Sequence, residues 1–326
     1  MNLVITGATS FLGWPMTEYC LKKGHRVFAV VRPHSRNSGR IQALLKAFGS
    51  RIVPVYMKLE DMDRIRDRIE ETCQAWIHFG WDGAGSDNRT QQDIQQKNVG
   101  DSMCALRGAL SLGCSRFLFS GSQAEYGIRN TPMSETDPCC PVSEYGKAKV
   151  AFYRQAGEYL AGLAAFSLKE PPVDYVHTRI FSVYGPGDHP WSLVETCRKT
   201  FLAGGAMELG DCTGQWNFLH RDDCIRALYK LLEAPGRIGL TGEENGIYNI
   251  AAAEEETRPL REYVEEMYRL CGRRGTCLYG KRPPNAEGQI NLIPSIEKLQ
   301  ARTGFVPEIC FKEGFEALCR EEEEKI

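Results

Sequence analysis

The strongest constraint on this chain lies in its first thirteen residues. An apolar run too short for a helix, Leu3-Val4-Ile5, passes directly into the small-residue turn Thr6-Gly7-Ala8-Thr9-Ser10. An amphipathic helix follows, with Met16, Tyr19, Cys20 and Leu21 apolar and Glu18, Lys22 and Lys23 polar. A strand, a tight turn and a helix N-terminus in that order present unpaired backbone N–H groups whose partial positive charge suits a diphosphate. Gly7 lets the chain turn sharply and Gly13 lets the helix lie close to the sheet. Ser10 stands where dinucleotide-binding turns carry a middle glycine, and its hydroxyl can itself donate to a phosphate. The same residues also suit an ordinary strand-to-helix turn, so the rest of the chain has to decide.

The alternation continues. Val27–Val31 reads as a second buried strand, Ile52–Met57 as a third, and Ala75–Phe79 as a fourth, with a charged helix expected from about Glu60 to Cys73. A long helix is expected from Thr90 to Leu112, containing Asn98 and interrupted at Gly100. Strands follow at Arg116–Ser120 and Asp174–Phe181, separated by a helix that opens at Ser143. Repeated strand–helix units predict an α/β fold, a Rossmann-type doubly wound parallel sheet covered on both faces. Past Asp188 the regularity falls. The expected division is therefore a dinucleotide-binding domain over 1–178, receiving 215–235 as well, and a smaller, mostly C-terminal α/β substrate domain over 179–326. Helices are expected there near Asp222–Glu233, Leu260–Cys271, Ile296–Arg302 and Lys312–Glu324, with the acidic run Glu321–Glu324 a solvated helix end.

With 326 residues the chain can bury a sizeable core, and a net charge of only -2 recommends neither nucleic acid nor an anionic membrane as a partner. No apolar stretch approaches the ~20 residues that span a bilayer, and the N-terminus enters a strand without a signal pattern, so a cytoplasmic protein is expected. The 13 cysteines are odd in number and scattered, with no CxxC, and read as reduced thiols; no metal site is expected.

The second strand ends on Arg32, with Arg36 and Arg40 nearby, where an NAD-preferring site would place an acidic residue for the ribose hydroxyls. An arginine suits a 2′-phosphate; the other reading is a solvated basic loop. His78, bracketed by apolar residues, reads as a hydrogen-bonded core histidine. The loop from Phe79-Gly80 to Gly85 lies at the carboxyl end of its strand, the side on which open α/β sheets bind ligands. Tyr145 and Lys149 stand four apart, on one face of a helix. A nearby ammonium favours the phenolate of a tyrosine whose reference pKa is about 10, which makes a proton shuttle. Ser122, after the fifth strand, suits a hydrogen bond to an oxygen that alternates between alcohol and carbonyl. A solvated helix face would carry the same Tyr and Lys.

Taken in order, these features resemble the extended short-chain dehydrogenase/reductase family of sugar-nucleotide epimerases, dehydratases and reductases. Asn98-Val99-Gly100 resembles the family's NVxG segment and Arg179–Asp188 its RxxxVYGPGD segment. Trp216–Asp223 is similar to its DFxxVDD region and Tyr248-Asn249-Ile250 to its YNI segment. The resemblance implies Tyr145 as catalytic acid/base, Lys149 as its electrostatic partner and ribose ligand, and Ser122 as the substrate-orienting hydroxyl. It further implies that Gly7, Phe11, Leu12 and Gly13 hold the cofactor's pyrophosphate; together with Ser10 and Arg32, Phe79, Gly80 and Asn98 are expected to complete the cofactor site. Gln123, Ser182 and Arg282, the last before Pro283-Pro284, fall to the substrate, Arg282 reading equally as a plain surface arginine. A homodimer packed through the helices of Asn98 and Tyr145 is also implied.

The family's dehydratases carry Asp-Glu directly after the catalytic Ser or Thr; here Gln123-Ala124 offer neither an acid nor a base. Reductase and epimerase remain. Arg32 favours NADP(H), with NAD(H) possible, and with it reduction of a nucleotide-linked 4-keto-6-deoxyhexose. The alternatives are an NAD-dependent 4-epimerase and a Rossmann protein that senses NADP(H) without turnover, against which the intact Ser122, Tyr145 and Lys149 argue.

Overall fold

The computed structural model describes residues 1–85, 88–167, 172–240, 245–283 and 290–323; Pro284 and Glu324 lie outside the described residues. The first half alternates β1 (Asn2–Thr6), α1 (Gly13–Lys22), β2 (Arg26–Val31), α2 (Ser38–Phe48), β3 (Ile52–Tyr56), β4 (Ala75–His78), α3 (Gln92–Ser111), β5 (Arg116–Ser122), α4 (Glu144–Ser167) and β6 (Asp174–Ile180). There follow β7 (Ser182–Tyr184), α5 (Leu193–Leu202), β8 (Ala206–Glu208), β9 (Gln215–Trp216), β10 (Phe218–His220), α6 (Arg221–Glu233) and β11 (Ile247–Ile250). The remainder is β12 (Arg258–Pro259), α7 (Leu260–Leu270), β13 (Thr276–Leu278), α8 (Glu297–Thr303) and α9 (Phe311–Glu323).

Seven strands form one sheet in the order β11-β6-β5-β4-β1-β2-β3, every pair parallel. A Rossmann-type sheet is thus the observed architecture. The strands are apolar throughout because both faces are covered, and successive side chains divide between the two. Leu3 and Ile5 face the layer of α1, α2 and α6, packing with Met16, Leu44 and Leu228. Val4, Phe28 and Val30 face the layer of α3 and α4, packing with Leu106, Phe152 and Ala156. The edge strand β11 lies far along the chain, so the sheet draws on residues well beyond 178. A separate apolar cluster gathers Tyr184, Phe201, Phe218, Tyr263, Met267, Phe311 and Phe315 from the second half. Around it lie three two-stranded pairs, β7 with β10, β8 with β13 and β9 with β12.

Two local expectations are corrected. In place of a helix over 60–73, a kinked 3₁₀ segment covers Leu59–Asp67. The cause is packing: Met62 and Ile65 are buried three apart, and α3 crosses so closely that a β-carbon on Gly108 would lie 2.3 Å from the Met62 carbonyl oxygen. A full α-helix is too wide for that approach. Gly100, expected to interrupt α3, does not: the helix runs unbroken, because a single glycine costs only about 1 kcal/mol while Val99, Met103 and Leu106 bury the same helix.

The order of strands reverses between β1 and β4, and the crevice outside the carboxyl ends of these two strands is where open α/β sheets bind ligands. No helix among the described residues is long and apolar enough to cross a membrane.

Candidate active site

The β1–α1 turn forms the floor of this crevice. Gly7 takes φ +67°, a conformation that favours glycine, and a β-carbon there would lie 2.9 Å from the main chain of Phe79. The turns after β1 and β4 therefore touch. A β-carbon on Gly13 would lie only 2.1 Å from the Gly7 carbonyl oxygen, so the first turn of α1 is seated directly on the turn before it. The Ser10 hydroxyl accepts the Gly13 N–H at 3.0 Å, which leaves its own proton free to donate. Among the described residues, the N–H groups of Phe11 and Leu12 make no hydrogen bond. Gly13 thus contributes space, and Phe11 and Leu12 contribute donors.

The loop after β4 is held from α3. The Asn98 amide accepts from the Asp82 N–H and donates to the Asp82 carbonyl, both at 2.8 Å. Gln95 accepts from the Trp81 indole N–H at 2.9 Å and donates to the carbonyls of Gly83 and Asn88. Both ends of the Asn98 side chain are therefore used to fix the loop. Asp82 in turn pairs with Arg32 at 2.9 Å, so the guanidinium read as a phosphate ligand carries a carboxylate partner.

Ser122 ends β5 and caps the short turn Gln123–Glu125. Its hydroxyl oxygen accepts from the Ala124 N–H at 3.2 Å, and Glu125 reaches back to the Ser122 N–H at 2.8 Å. This is a capping box, which the sequence carries as Ser-x-x-Glu. Glu125 is also the acceptor for His177 Nε2 at 3.0 Å and Arg179 Nε at 3.1 Å, all three side chains being buried. Burial pushes Glu125 up, but His177, Arg179 and the Ser122 N–H outweigh it and hold the carboxyl below its ordinary range. Burial likewise holds His177 below its ordinary value against the pull of Glu125; its Nε2 faces that carboxylate, and the Tyr175 hydroxyl lies 2.7 Å from its Nδ1.

Tyr145 lies in the first turn of α4, 7% exposed, its N–H bonded to the Arg89 carbonyl and its ring 4.6 Å beneath the Arg89 guanidinium. The next residue, Gly146, packs on the Ala124 carbonyl: a β-carbon there would lie 2.5 Å away. Helix and serine turn are thereby locked together. One turn on, Lys149 donates to the Ser120 carbonyl at 2.7 Å and lies over the faces of Trp81, Phe119 and Tyr145 at 3.6, 4.6 and 5.5 Å. Only 3% of it is exposed, and burial pushes the amine well below its ordinary value, opposed by Glu125 and aided by Arg89. The ammonium thus faces a carbonyl and three rings.

His78 is the core histidine expected, bonded to Thr6 at 2.7 Å and Ser102 at 3.2 Å. Gln123 is partly exposed beside Ser122, and Ser182 opens β7, paired with Phe218. Arg282 stands apart, exposed, its N–H on the Leu209 carbonyl. Sequence reasoning did not single out Trp81, Asp82, Arg89 or the Glu125–His177–Arg179 cluster. Glu125 left a signal in its capping pattern and Arg179 in the Arg179–Asp188 segment, whereas the roles of the others come from contacts between segments distant in the chain.

The profile of the NAD dependent epimerase/dehydratase family matches residues 3–251. The chain belongs to that family. It is accordingly an enzyme of the extended short-chain dehydrogenase/reductase type. A dTDP-6-deoxy-L-talose 4-dehydrogenase (NAD(+)) of Aggregatibacter actinomycetemcomitans is 29% identical over 160 residues, spanning 48% of this chain and only 54% of that protein. An uncharacterized UDP-glucose epimerase of Bacillus subtilis is 22% identical over 321 residues, 96% of this chain and 95% of its own. Among solved structures, the UDP-glucose 4-epimerase of Thermotoga maritima with UDP-glucose superposes with a TM-score of 0.82 at 20% identity, covering 100% of this chain and 99% of that one. The dTDP-glucose 4,6-dehydratase of Streptomyces venezuelae, with NAD bound, gives 0.81 at 20% identity, covering 99% and 97%. At such identities the likeness is one of fold.

Proposed function

We propose that the protein is a nicotinamide-dependent oxidoreductase that interconverts the 4-keto and 4-hydroxy forms of a nucleotide-linked 6-deoxyhexose, with NADP(H) favoured and NAD(H) accepted. The observation that carries this reading is the union of Ser122, the Tyr145 turn and Lys149 beside the crevice, with Gln123 and the buried Ala124 where dehydration needs an acid and a base. The curated relative that acts as a 4-dehydrogenase on a dTDP-6-deoxyhexose supports the substrate class.

The crevice fits a dinucleotide, since a single methyl group on Gly13 would close the cradle of the first turn. Gly7, Ser10, Phe11, Leu12 and Gly13 would hold the diphosphate, Phe79 and Gly80 would line its far side, and Arg32 would meet an adenosine phosphate. When bound, that group supplies the hydride acceptor or donor. The Tyr145 hydroxyl moves the proton at the sugar's C4 oxygen, and Ser122, whose oxygen already accepts from Ala124, donates its free proton to the same oxygen. Lys149 favours the phenolate by its charge. Gln123, Ser182 and Arg282 would serve the sugar and its nucleotide. A homodimer through α3 and α4 belongs to the same reading, and sedimentation analysis tests it.

A 4-epimerase remains the second reading, and the Arg32–Asp82 pair favours it, because a shared guanidinium discriminates less between the phosphorylated cofactor and NAD. Incubation with 4-deuterated NADPH and a panel of nucleotide-linked 4-keto-6-deoxy sugars separates the two. Stoichiometric cofactor oxidation with deuterium at carbon 4 is expected. Interconversion of 4-hydroxy epimers with no net cofactor loss would reverse the choice. Tyr145→Phe is expected to lower turnover by about 10²–10⁴-fold with cofactor affinity nearly intact, and near wild-type turnover would remove Tyr145 from the mechanism.

A further inference from the structure

We infer that Trp81 is a positioning residue of the proton-transfer site: its indole face holds the Lys149 ammonium against the Ser120 carbonyl and beside the Tyr145 ring, so that Lys149 acts on the phenol through charge. The inference rests on the proposed role of Tyr145. Its basis is geometric. The ammonium lies 3.6 Å from the centre of the Trp81 ring, shorter than its distance to either Phe119 or Tyr145. The indole is fixed from both sides: Gln95 takes its N–H at 2.9 Å, and its ring meets Tyr145 edge-on at 6.0 Å with the planes 86° apart. A buried lysine with one carbonyl partner tends to lose its proton. A ring face is the kind of partner that keeps a desolvated cation charged without offering it a proton acceptor.

The charges that bear on Lys149 come from every neighbouring element. Glu125 in the turn after β5 favours the ammonium, while Arg89 opposes it. Burial holds both His78 on β4, down to about 3, and His177 on β6 below the ordinary imidazole value, the ammonium itself contributing. Tyr145 is the group that benefits. With Lys149 charged, the phenolate forms beside a cation; with Lys149 neutral, it forms in a site that already disfavours charge.

Absorbance titration tests this without any substrate. Subtracting the spectrum of Tyr145→Phe from that of wild type isolates the Tyr145 phenolate, and the same subtraction is made in Trp81→Leu and Trp81→Phe backgrounds. Loss of the indole face is expected to raise the phenolate midpoint by about 0.4–1.5 pH units in Trp81→Leu, with Trp81→Phe recovering part of the shift. An unchanged midpoint in folded Trp81→Leu would overturn the inference. Should Trp81→Leu fail to fold, fluorinated tryptophan weakens the ring's negative face at constant shape, with the Trp81→Phe protein as the control for the other tryptophans. The midpoint should climb with each added fluorine, and a flat series would also overturn the inference. Once a substrate is in hand, kcat/KM for sugar oxidation on the acid side of the profile should fall about 3–30-fold with the cofactor Kd unchanged. A loss confined to cofactor Kd would make Trp81 a cofactor contact instead. An active Tyr145→Phe would refute the proposed mechanism alone, because the phenolate titration judges Trp81 independently.

Discussion

Arg32 at the end of β2 and Asp82 in the loop after β4 are joined by a 2.9 Å ion pair although β1 lies between their strands in the sheet. The pair therefore spans the carboxyl end of β1, above the turn that binds a diphosphate in the proposed reading. Both side chains are more than half exposed, 68% and 58%, so the pair itself adds little to stability. Its consequence is for selectivity. Asp82→Asn should free the guanidinium and raise the preference for NADPH over NADH by roughly fivefold, equivalent to about 1 kcal/mol. Arg32→Ala should remove the preference and make Asp82→Asn silent. Fluorescence titration of both cofactors against the four proteins checks this, and additive effects of the two substitutions would break the link.

Two glycines should respond in opposite directions to alanine. At Gly13 the new methyl meets the Gly7 carbonyl oxygen at 2.1 Å, a main-chain atom that can retreat only by moving the helix. A loss of about 1–3 kcal/mol is expected, together with most cofactor affinity. At Gly100, in mid-helix and exposed, nothing lies within 4 Å of the new carbon. Gly100→Ala should stabilise the protein by about 0.5–1 kcal/mol. Urea unfolding measures both.

The fold was legible because its governing signal is local: apolar runs of strand length alternating with amphipathic helices can hardly build anything other than a parallel sheet. The turn at Gly7–Gly13 and the pairing of Tyr145 with Lys149 are local too, fixed by backbone geometry and by helical spacing. What escaped is tertiary. No pattern around Glu60 announces that α3 will press on Met62 and deny that stretch a full helical turn. Nor does anything near Trp81 announce that its ring will cover a lysine 68 residues later, or near Asp82 that it will share the charge of Arg32. Tyr248-Asn249-Ile250 was noted as a motif, but the return of β11 to the main sheet beside β6 depends on a crossover through residues 181–246 that no local pattern announces.

His78 gives the protein a sensitivity to mild acid. Burial, assisted by the Lys149 ammonium, pushes its pKa down to about 3. Unfolded, the same imidazole takes up a proton near pH 6.5. Between those values the unfolded chain binds one more proton than the folded one, so stability falls as pH falls. From pH 7 to pH 5 this histidine alone should cost about 2 kcal/mol. His78→Gln, which can still bond Thr6 and Ser102, should lose that much less than wild type over the same interval. Equal losses in urea unfolding at the two pH values would show that His78 does not carry the effect.

Glu125 is the buried charge on which the serine turn depends, and its substitution should show whether the turn rests on charge or only on shape. The carboxylate accepts from the Ser122 N–H, His177 and Arg179, and is 1% exposed. Glu125→Gln keeps the volume but leaves the Arg179 guanidinium buried without its counter-charge, a change that typically costs 3–5 kcal/mol. Replacing Arg179 as well, in Glu125→Gln/Arg179→Met, removes the uncompensated charge, so the double variant should be more stable than the single one despite carrying more substitutions. Because the native carboxyl is held below its ordinary range, its contribution is complete above the unfolded carboxylate value and fades as pH falls through the lower native one. The stability gap between wild type and Glu125→Gln should therefore narrow in acid. A gap constant from pH 7 to pH 3, or a double variant weaker than the single, would mean that packing around Ser122 and not the charge holds the turn.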